Sequence, residues 1–193
     1  LNQTFNMYTG NGRNGKSKLV EFMGSILGDY KGTVPISLVT QKRGSIGGVS
    51  PEIAALKGLR YAVMQEPSKG MILNEGIMKE LTGGDPIQGR KLFKDTVTFI
   101  PQFTLVVCTN HLFEINTDDD GTWRRIRVCD YISKFVPNPS RDPKKHEFLV
   151  DPNIDKNFHR WREIAMGLLI DIAQKTGGCV KDCPIVMAAS QKY

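Results

Sequence analysis

A glycine-rich loop constrains this chain more than any other feature of its sequence. The loop reads Gly10-Asn11-Gly12-Arg13-Asn14-Gly15-Lys16-Ser17, a complete G-x-x-x-x-G-K-S pattern. An apolar run at residues 5–8 precedes the loop, and residues 16–27 carry apolar side chains at spacings near three and four. These flanks predict a buried strand before the loop and a helix after it. The pattern in this context is that of a Walker A loop.

The residue types in the loop explain how it would hold nucleotide phosphates. Glycines allow backbone conformations in which successive N–H groups point inward and surround an anion. Lys16 would reach the β- and γ-phosphates, Ser17 would ligate magnesium, and the following helix would direct its positive N-terminal end at the same group. Lys18, in the first turn of that helix, is a further candidate binding residue. The predicted cofactors are ATP and Mg²⁺, and the alternative is a glycine turn that merely connects two elements.

Short apolar runs recur along the chain and indicate its fold class. Those at residues 5–8, 61–64, 104–108 and 126–129 predict buried strands, and residues 16–27 and 72–81 predict helices between them. This alternation favours an α/β fold with a largely parallel central sheet. Residues 87–99 alternate like a hairpin, with its turn near Lys94 and Asp95. Four prolines mark residues 134–152 as a loop or linker, and residues 159–174 predict an amphipathic helix in a small C-terminal part.

Composition limits the class of protein. A chain of 193 residues, 40% hydrophobic and 24% charged, has the material for one folded domain and is unlike a disordered segment. Its net charge of +6 mildly favours a polyanionic partner. We expect no membrane insertion, because no stretch approaches roughly 18 consecutive apolar residues. The four scattered cysteines form no zinc framework and are expected to be reduced thiols. Since the chain opens at Leu1, we expect it to be part of a longer protein.

Polar residues follow two of the predicted strands and are candidates for catalysis. Gln65-Glu66 ends the strand at residues 61–64, and Glu66 could orient and deprotonate the attacking water. Gln65 stands where many ATPases have an aspartate for the magnesium shell, so Ser17, Gln65 and Glu66 form the candidate metal site. The alternative for Glu66 is a surface carboxylate. Asn110 could sense the γ-phosphate, or simply form a turn.

Two further segments, together with the loop and the strand ends, carry a family resemblance. Lys79-Glu80-Leu81-Thr82-Gly83-Gly84-Asp85-Pro86, followed by Arg90-Lys91-Leu92-Phe93-Lys94, resembles the B-prime motif of superfamily 3 helicases. Trp123-Arg124-Arg125-Ile126-Arg127-Val128 is similar to the arginine segment of the same proteins. Over nearly its whole length the chain resembles the ATPase domain of primase-helicases of large DNA viruses, of poxvirus type, and of related phages.

The resemblance implies a P-loop NTPase core of AAA+ type that assembles as a hexameric ring and moves along single-stranded DNA at a replication fork. It implies that an arginine acts on the nucleotide of a neighbouring subunit, with Arg125 the first candidate and Arg124 the second. Structural ion pairs are the alternative for each. The hairpin would meet DNA, with Lys91 and Lys94 contacting phosphates. Phe93 would either stack on a base or pack the hairpin.

The same resemblance places a helicase core at residues 1–135 and a linker with a helical part at residues 136–193. It implies a viral protein acting in the host cytoplasm. One alternative is a P-loop ATPase for DNA packaging or protein remodelling, which the B-prime-like segment disfavours. Another is a nucleotide-binding scaffold without catalysis, which Gln65 suggests and Glu66 disfavours.

Overall fold

The computed structural model describes residues 3–42, 48–65 and 67–193. Within them the strands are β1 (Phe5–Thr9), β2 (Lys31–Thr33), β3 (Tyr61–Gln65), β4 (Ile87–Arg90), β5 (Thr96–Phe99), β6 (Thr104–Cys108), β7 (Ile126–Asp130), β8 (Lys134–Val136) and β9 (Glu147–Leu149). The helices are α1 (Lys16–Leu27), α2 (Pro51–Ala54), α3 (Glu75–Gly83), α4 (Asp120–Trp123), α5 (Phe158–Thr176) and α6 (Pro184–Gln191). The predicted base Glu66 lies outside the described residues.

A five-stranded sheet forms the centre of the fold. Its strand order is β2-β3-β6-β1-β7, and every pair in it is parallel. Tyr8 of β1 and Gln65 of β3 both pair with Cys108 of β6, so the three strands end at the same level. The predicted α/β fold with a largely parallel sheet is confirmed. Because all five strands run the same way, the loops that follow them gather along one edge, which we call the carboxyl edge.

Apolar side chains alternate between the two faces of the sheet. On one face Tyr61, Val63 and Val106 pack against Val20 of α1. The opposite face carries Phe5, Met7, Ala62, Met64, Leu105, Val107, Ile126 and Val128, which form a larger cluster with residues of α2 and α3. Fully burying one such side chain contributes about 1.5–3 kcal/mol. The strands are therefore held from both sides, as their short, continuously apolar runs predict.

The hairpin and the C-terminal helices attach to this sheet. Strands β4 and β5 form a separate antiparallel pair, as expected from residues 87–99. Helix α5 packs on α1, where the ring centroids of Phe158 and Phe22 lie 5.0 Å apart. Helix α6 lies along β7, and the Val128 N–H donates to Ser190 Oγ at 2.9 Å. The small helical C-terminal part is thus confirmed, and the domain boundary at residue 135 stays a prediction.

Three local expectations need correction. The helix predicted from residue 72 begins at Glu75, because Asn74 Oδ1 accepts the Ile77 N–H at 3.2 Å and caps the first turn. The segment 134–152, expected to be a loop, contains the parallel pair β8 and β9. The hairpin turn lies at residues 91–94, where the Lys94 N–H donates to the Lys91 carbonyl at 3.2 Å, slightly before the predicted position.

None of the helices in the described part of the chain combines the length and the apolar character needed to cross a bilayer.

Candidate functional site

The loop between β1 and α1 requires an unusual backbone. Gly10 has φ 131°, Gly15 has φ 86°, and Arg13 adopts a left-handed conformation with φ 65°. A Cβ atom on Gly10 would lie 2.6 Å from the Tyr131 carbonyl oxygen and 2.7 Å from Asn14 Nδ2. Glycine is therefore required at position 10 both by the dihedral angle and by the space. Two glycines of the G-x-x-x-x-G-K-S pattern thus have backbone angles that other residues rarely adopt.

The N-terminus of α1 presents donors to the space enclosed by the loop. Gly15 occupies the N-cap position and has no side chain with which to cap the helix. Asn14 Oδ1 accepts the Lys16 N–H at 3.3 Å, whereas Asn14 Nδ2 is buried with no acceptor among the described residues. A buried donor of this kind and a helix N-terminus both favour an anion. Ser17 is exposed at the same end.

Lys16 and Asn110 meet at the carboxyl edge. Lys16 is buried, with 7% of its surface exposed. Its Nζ donates to the Gly10 carbonyl oxygen and, at 3.2 Å, to Asn110 Oδ1. Asn110 follows β6, the strand beside β1. Thr109 holds this turn, because its Oγ1 accepts the His111 N–H at 2.9 Å. The structure thus brings together two candidate residues that are 94 positions apart.

Two other candidate ligands, Gln65 and Lys18, differ in their surroundings. Gln65 is exposed at the end of β3, which neighbours β6. The Lys18 ammonium pairs with Glu21 at 2.9 Å and with Asp155 at 3.0 Å, and these carboxylates raise its pKa. Lys18 therefore joins α1 to the segment before α5. The described residues contain no cluster of three His, Cys, Asp or Glu that could bind a metal, and Glu66 lies outside them.

A cavity that the sequence did not predict adjoins the loop. Its volume is about 400 Å³, and its lining comprises Gly10, Asn11, Gly12, Asp130, Tyr131, Ile132, Ser133, Lys134 and Lys145. The Phe135 N–H donates to the Arg13 carbonyl at 2.7 Å, which ties the segment after β7 to the loop. Thr9 Oγ1 donates to Asp130 Oδ1 at 2.6 Å. The signal available in the sequence was Asp130-Tyr131, a polar strand end like those of β3 and β6.

The arginine segment lies at the opposite, amino edge of the sheet. Arg124 and Arg125 precede β7, and the Phe5 N–H at the start of β1 donates to the Arg125 carbonyl at 2.7 Å. Arg125 is 8% exposed, and its guanidinium donates to the Gly121 carbonyl at 2.6 Å and to Gln3 Oε1 at 3.3 Å. Arg124 is exposed. The first candidate is thus a buried group with structural partners, and the second is accessible.

The hairpin tip presents both cations and an aromatic ring. Lys91 and Lys94 are exposed, and Phe93 is 92% exposed with φ 55° at the turn. The interpretation that Phe93 packs the hairpin is wrong, because a residue that is 92% exposed is packed against almost nothing. Next to the tip, the Ser50 N–H donates to the Arg90 carbonyl at 2.8 Å, which fixes the end of β4 that leads into the turn.

Relatives of the chain come from large DNA viruses. It is 38% identical over 180 residues to "Putative helicase L207/L206" of Acanthamoeba polyphaga mimivirus, covering 90% of this chain and 19% of that protein. It is 30% identical over 199 residues to "Putative primase C962R" of an African swine fever virus isolate, covering 97% and 20%. It is 34% identical over 159 residues to "Putative helicase 022R" of Frog virus 3, covering 79% and 16%. The chain spans about a fifth of the length of these relatives.

A solved structure confirms the fold, and a family model covers the glycine loop and Asn110. The C-terminal region of NrS-1 superposes with a TM-score of 0.60 at 12% identity, over 93% of this chain and 37% of that one. This likeness, with the glycine loop after β1, is that of a P-loop NTPase-like fold. The model described as "Family of unknown function (DUF5906)" matches residues 8–125, from the end of β1 to the arginine segment. The chain is homologous to the viral proteins named above and belongs to the DUF5906 family.

Proposed function

We propose that this chain is the ATP-hydrolysing core of a viral DNA helicase that moves along single-stranded DNA as a homo-hexameric ring. The contact between Lys16 and Asn110 carries the proposal. It places a cation from the glycine loop and an amide from the neighbouring strand at one point, 3.2 Å apart. Such a pair can hold a terminal phosphate and respond to its loss. The names of the viral relatives, helicase and primase, support the same role.

The loop residues fit a nucleotide triphosphate and its magnesium ion. The start of α1 and Asn14 Nδ2, which has no acceptor among the described residues, supply donors, and Lys16 supplies a positive charge that is already held at the site. Ser17 would hold Mg²⁺, with Gln65 and Glu66 completing its shell. The ion would neutralise charge on the phosphates as the terminal phosphoryl group leaves.

In this proposal the nucleoside binds in the cavity beside the loop. Its volume of about 400 Å³ falls in the range of small-molecule pockets, and it opens from Gly10 and Gly12, where the phosphates would begin. Tyr131 and Ile132 offer flat and apolar surface to a base. Lys134 and Lys145 line the same cavity and would favour an anionic ligand.

Catalysis in this proposal needs a base and a second cation. Glu66 follows β3 and would take the proton of the attacking water. A cation on the transferring phosphoryl group would come from a neighbouring subunit, because the arginine segment lies at the opposite edge of the sheet from its own loop. Arg125 has structural acceptors, so the exposed Arg124 is better placed to cross an interface.

In this proposal the tip of the hairpin contacts single-stranded DNA. Lys91 and Lys94 would neutralise backbone phosphates without reading sequence, and Phe93, exposed at the tip, can stack on a base. The net charge of +6 agrees with such a partner. We place this activity at the replication fork in the host cytoplasm, with no membrane contact.

ATP hydrolysis with and without single-stranded DNA tests the proposal in the full-length protein. We expect turnover that DNA stimulates, and its loss in Lys16→Ala. Lys57→Ala, which removes an exposed lysine before β3, is the matched control and should behave like the parent. Turnover in Lys16→Ala at the parental rate would reject the assignment of the loop. Turnover indifferent to DNA would favour a packaging or remodelling ATPase.

A further inference from the structure

The cavity beside the glycine loop contains a carboxylate that a bound nucleotide has to accommodate. Among the described residues that line this cavity, Asp130 is the one with an acidic side chain. A carboxylate next to a loop that would hold phosphates is unfavourable by itself, because like charges repel each other. Its position therefore indicates a ligand group that donates a hydrogen bond to it.

Asp130 is held in place by the strand that leads into the loop. It pairs in register with Thr9, the residue before Gly10, and Thr9 Oγ1 donates to Asp130 Oδ1 at 2.6 Å. Thr9 is 8% exposed, so this hydrogen bond is largely shielded from water. The other carboxylate oxygen, Oδ2, accepts no hydrogen bond from the described residues and is available to a ligand.

The strand order indicates which part of a nucleotide would meet Asp130. Lys16 and Asn110 meet on the side of β1 that faces β6, whereas Asp130 ends β7 on the other side of β1. A terminal phosphate held by Lys16 and Asn110 would therefore direct the nucleoside towards β7. The ribose is bonded to the phosphates, so it would lie next to the loop and beside Asp130. The base would lie farther out, at Tyr131 and Ile132.

We propose that Asp130 accepts a hydrogen bond from a ribose hydroxyl and so makes the site selective for ribonucleotides over deoxyribonucleotides. This selectivity rests on the function proposed above, which places a nucleotide in the cavity. Carboxylates bind ribose hydroxyls in the same way in dinucleotide-binding folds. Lys134 and Lys145 line the same cavity and offset the charge of Asp130, so the carboxylate does not exclude a triphosphate.

Such selectivity has a consequence for a protein that acts during DNA replication. Deoxynucleoside triphosphates are the substrates of DNA synthesis, so a motor that hydrolysed them would deplete them. A hydrogen bond to a charged acceptor changes affinity by about tenfold or more. One carboxylate beside the ribose is thus enough to direct the motor to ATP.

Titration calorimetry of the full-length protein with ADP, 2′-deoxy-ADP and 3′-deoxy-ADP tests the role of Asp130. An ATPase does not consume these diphosphates, and the two deoxy forms identify which hydroxyl is bound. We expect the parent to bind ADP about tenfold more tightly than one of the deoxy forms. Asp130→Ala should bind ADP and that deoxy form equally. Thr9→Val, which keeps the carboxylate but no longer fixes it, should give an intermediate ratio.

The ratio of the two affinities is a robust measure, because both are determined on the same protein and a partly unfolded variant does not change it. Asp29→Ala is the matched control. It removes an exposed aspartate that precedes β2 at the amino edge of the sheet, and it should keep the parental ratio.

The outcomes separate the role of Asp130 from the ATPase itself. If Lys16→Ala weakens ADP binding but the parent binds ADP and both deoxy forms equally, the ATPase stands and the role of Asp130 is rejected. Discrimination that survives in Asp130→Ala also rejects this role, since another group then binds the hydroxyl. Nucleotide binding that Lys16→Ala leaves unchanged rejects the loop assignment and the role of Asp130 together.

Discussion

Gly89 of β4 offers a sharp test of how the hairpin is held. A Cβ at this position would lie 2.5 Å from the Ala54 nitrogen, 2.9 Å from Ala54 Cα and 3.0 Å from the Ile53 carbonyl carbon. All three are backbone atoms of α2, so no side-chain rotation relieves the contact. Overpacking of this kind costs about 1–3 kcal/mol. The reduced chain entropy of alanine offsets about 0.4–1 kcal/mol. We expect Gly89→Ala to lower the free energy of unfolding by about 1–2 kcal/mol.

Urea denaturation of the parent and of Gly89→Ala measures this difference. Gly167→Ala is the matched control, because Gly167 lies inside α5 and a Cβ there meets nothing within 4 Å. Alanine should stabilise that helix by up to about 1 kcal/mol, since it has the higher helix propensity. The two Gly→Ala changes should therefore have opposite signs. Equal or greater stability of Gly89→Ala would show that β4 does not press on α2 as the structure describes.

Four further changes test the site and its surroundings. Glu66→Gln should keep ATP and Mg²⁺ binding but lose hydrolysis, and parental turnover would place the base elsewhere. Phe93→Ala should weaken binding of single-stranded DNA by about 1–3 kcal/mol in fluorescence anisotropy while leaving stability unchanged, because the ring is exposed. Lys94→Ala should reduce the salt dependence of that binding by about one phosphate contact, and an unchanged slope would contradict the assignment. The hydrogen bond from Lys79 lowers the pKa of Asp119 to about 2, so the stabilisation from Asp119 should be present above pH 4 and lost as the pH falls towards 2. Denaturation across that range should bring the parent and Asp119→Asn together, and a constant difference would refute it.

The parts of the site that local sequence dictates could be predicted. The loop from Gly10 to Ser17 is specified by glycines and by the adjoining lysine and serine, and its strand and helix are visible as apolar periodicities. Placing Asn110 beside Lys16 needed one more step, namely that parallel strands end at the same edge. The structure supports that step directly through the 3.2 Å contact.

The parts that depend on distant partners could not be predicted. Whether Arg125 is exposed depends on Gly121 and on Gln3, and the second of these is 122 residues away. Strands β8 and β9 have three residues each, which is too short to show a hydrophobic periodicity in the sequence. They pair with each other across a proline-rich segment. The cavity beside the loop is formed by segments that follow β1 and β7, and its existence depends on their pairing.

The position of the arginine segment follows from the direction of the strands. Since β1 and β7 are parallel, the residues that precede β7 must lie at the edge from which β1 starts, and the glycine loop must lie where β1 ends. No rearrangement of side chains can bring Arg124 to the phosphates of its own loop, because a guanidinium reaches only a few ångströms and β1 spans roughly 16 Å. If Arg124 or Arg125 acts on a nucleotide held in such a loop, that loop must therefore belong to another copy of the chain.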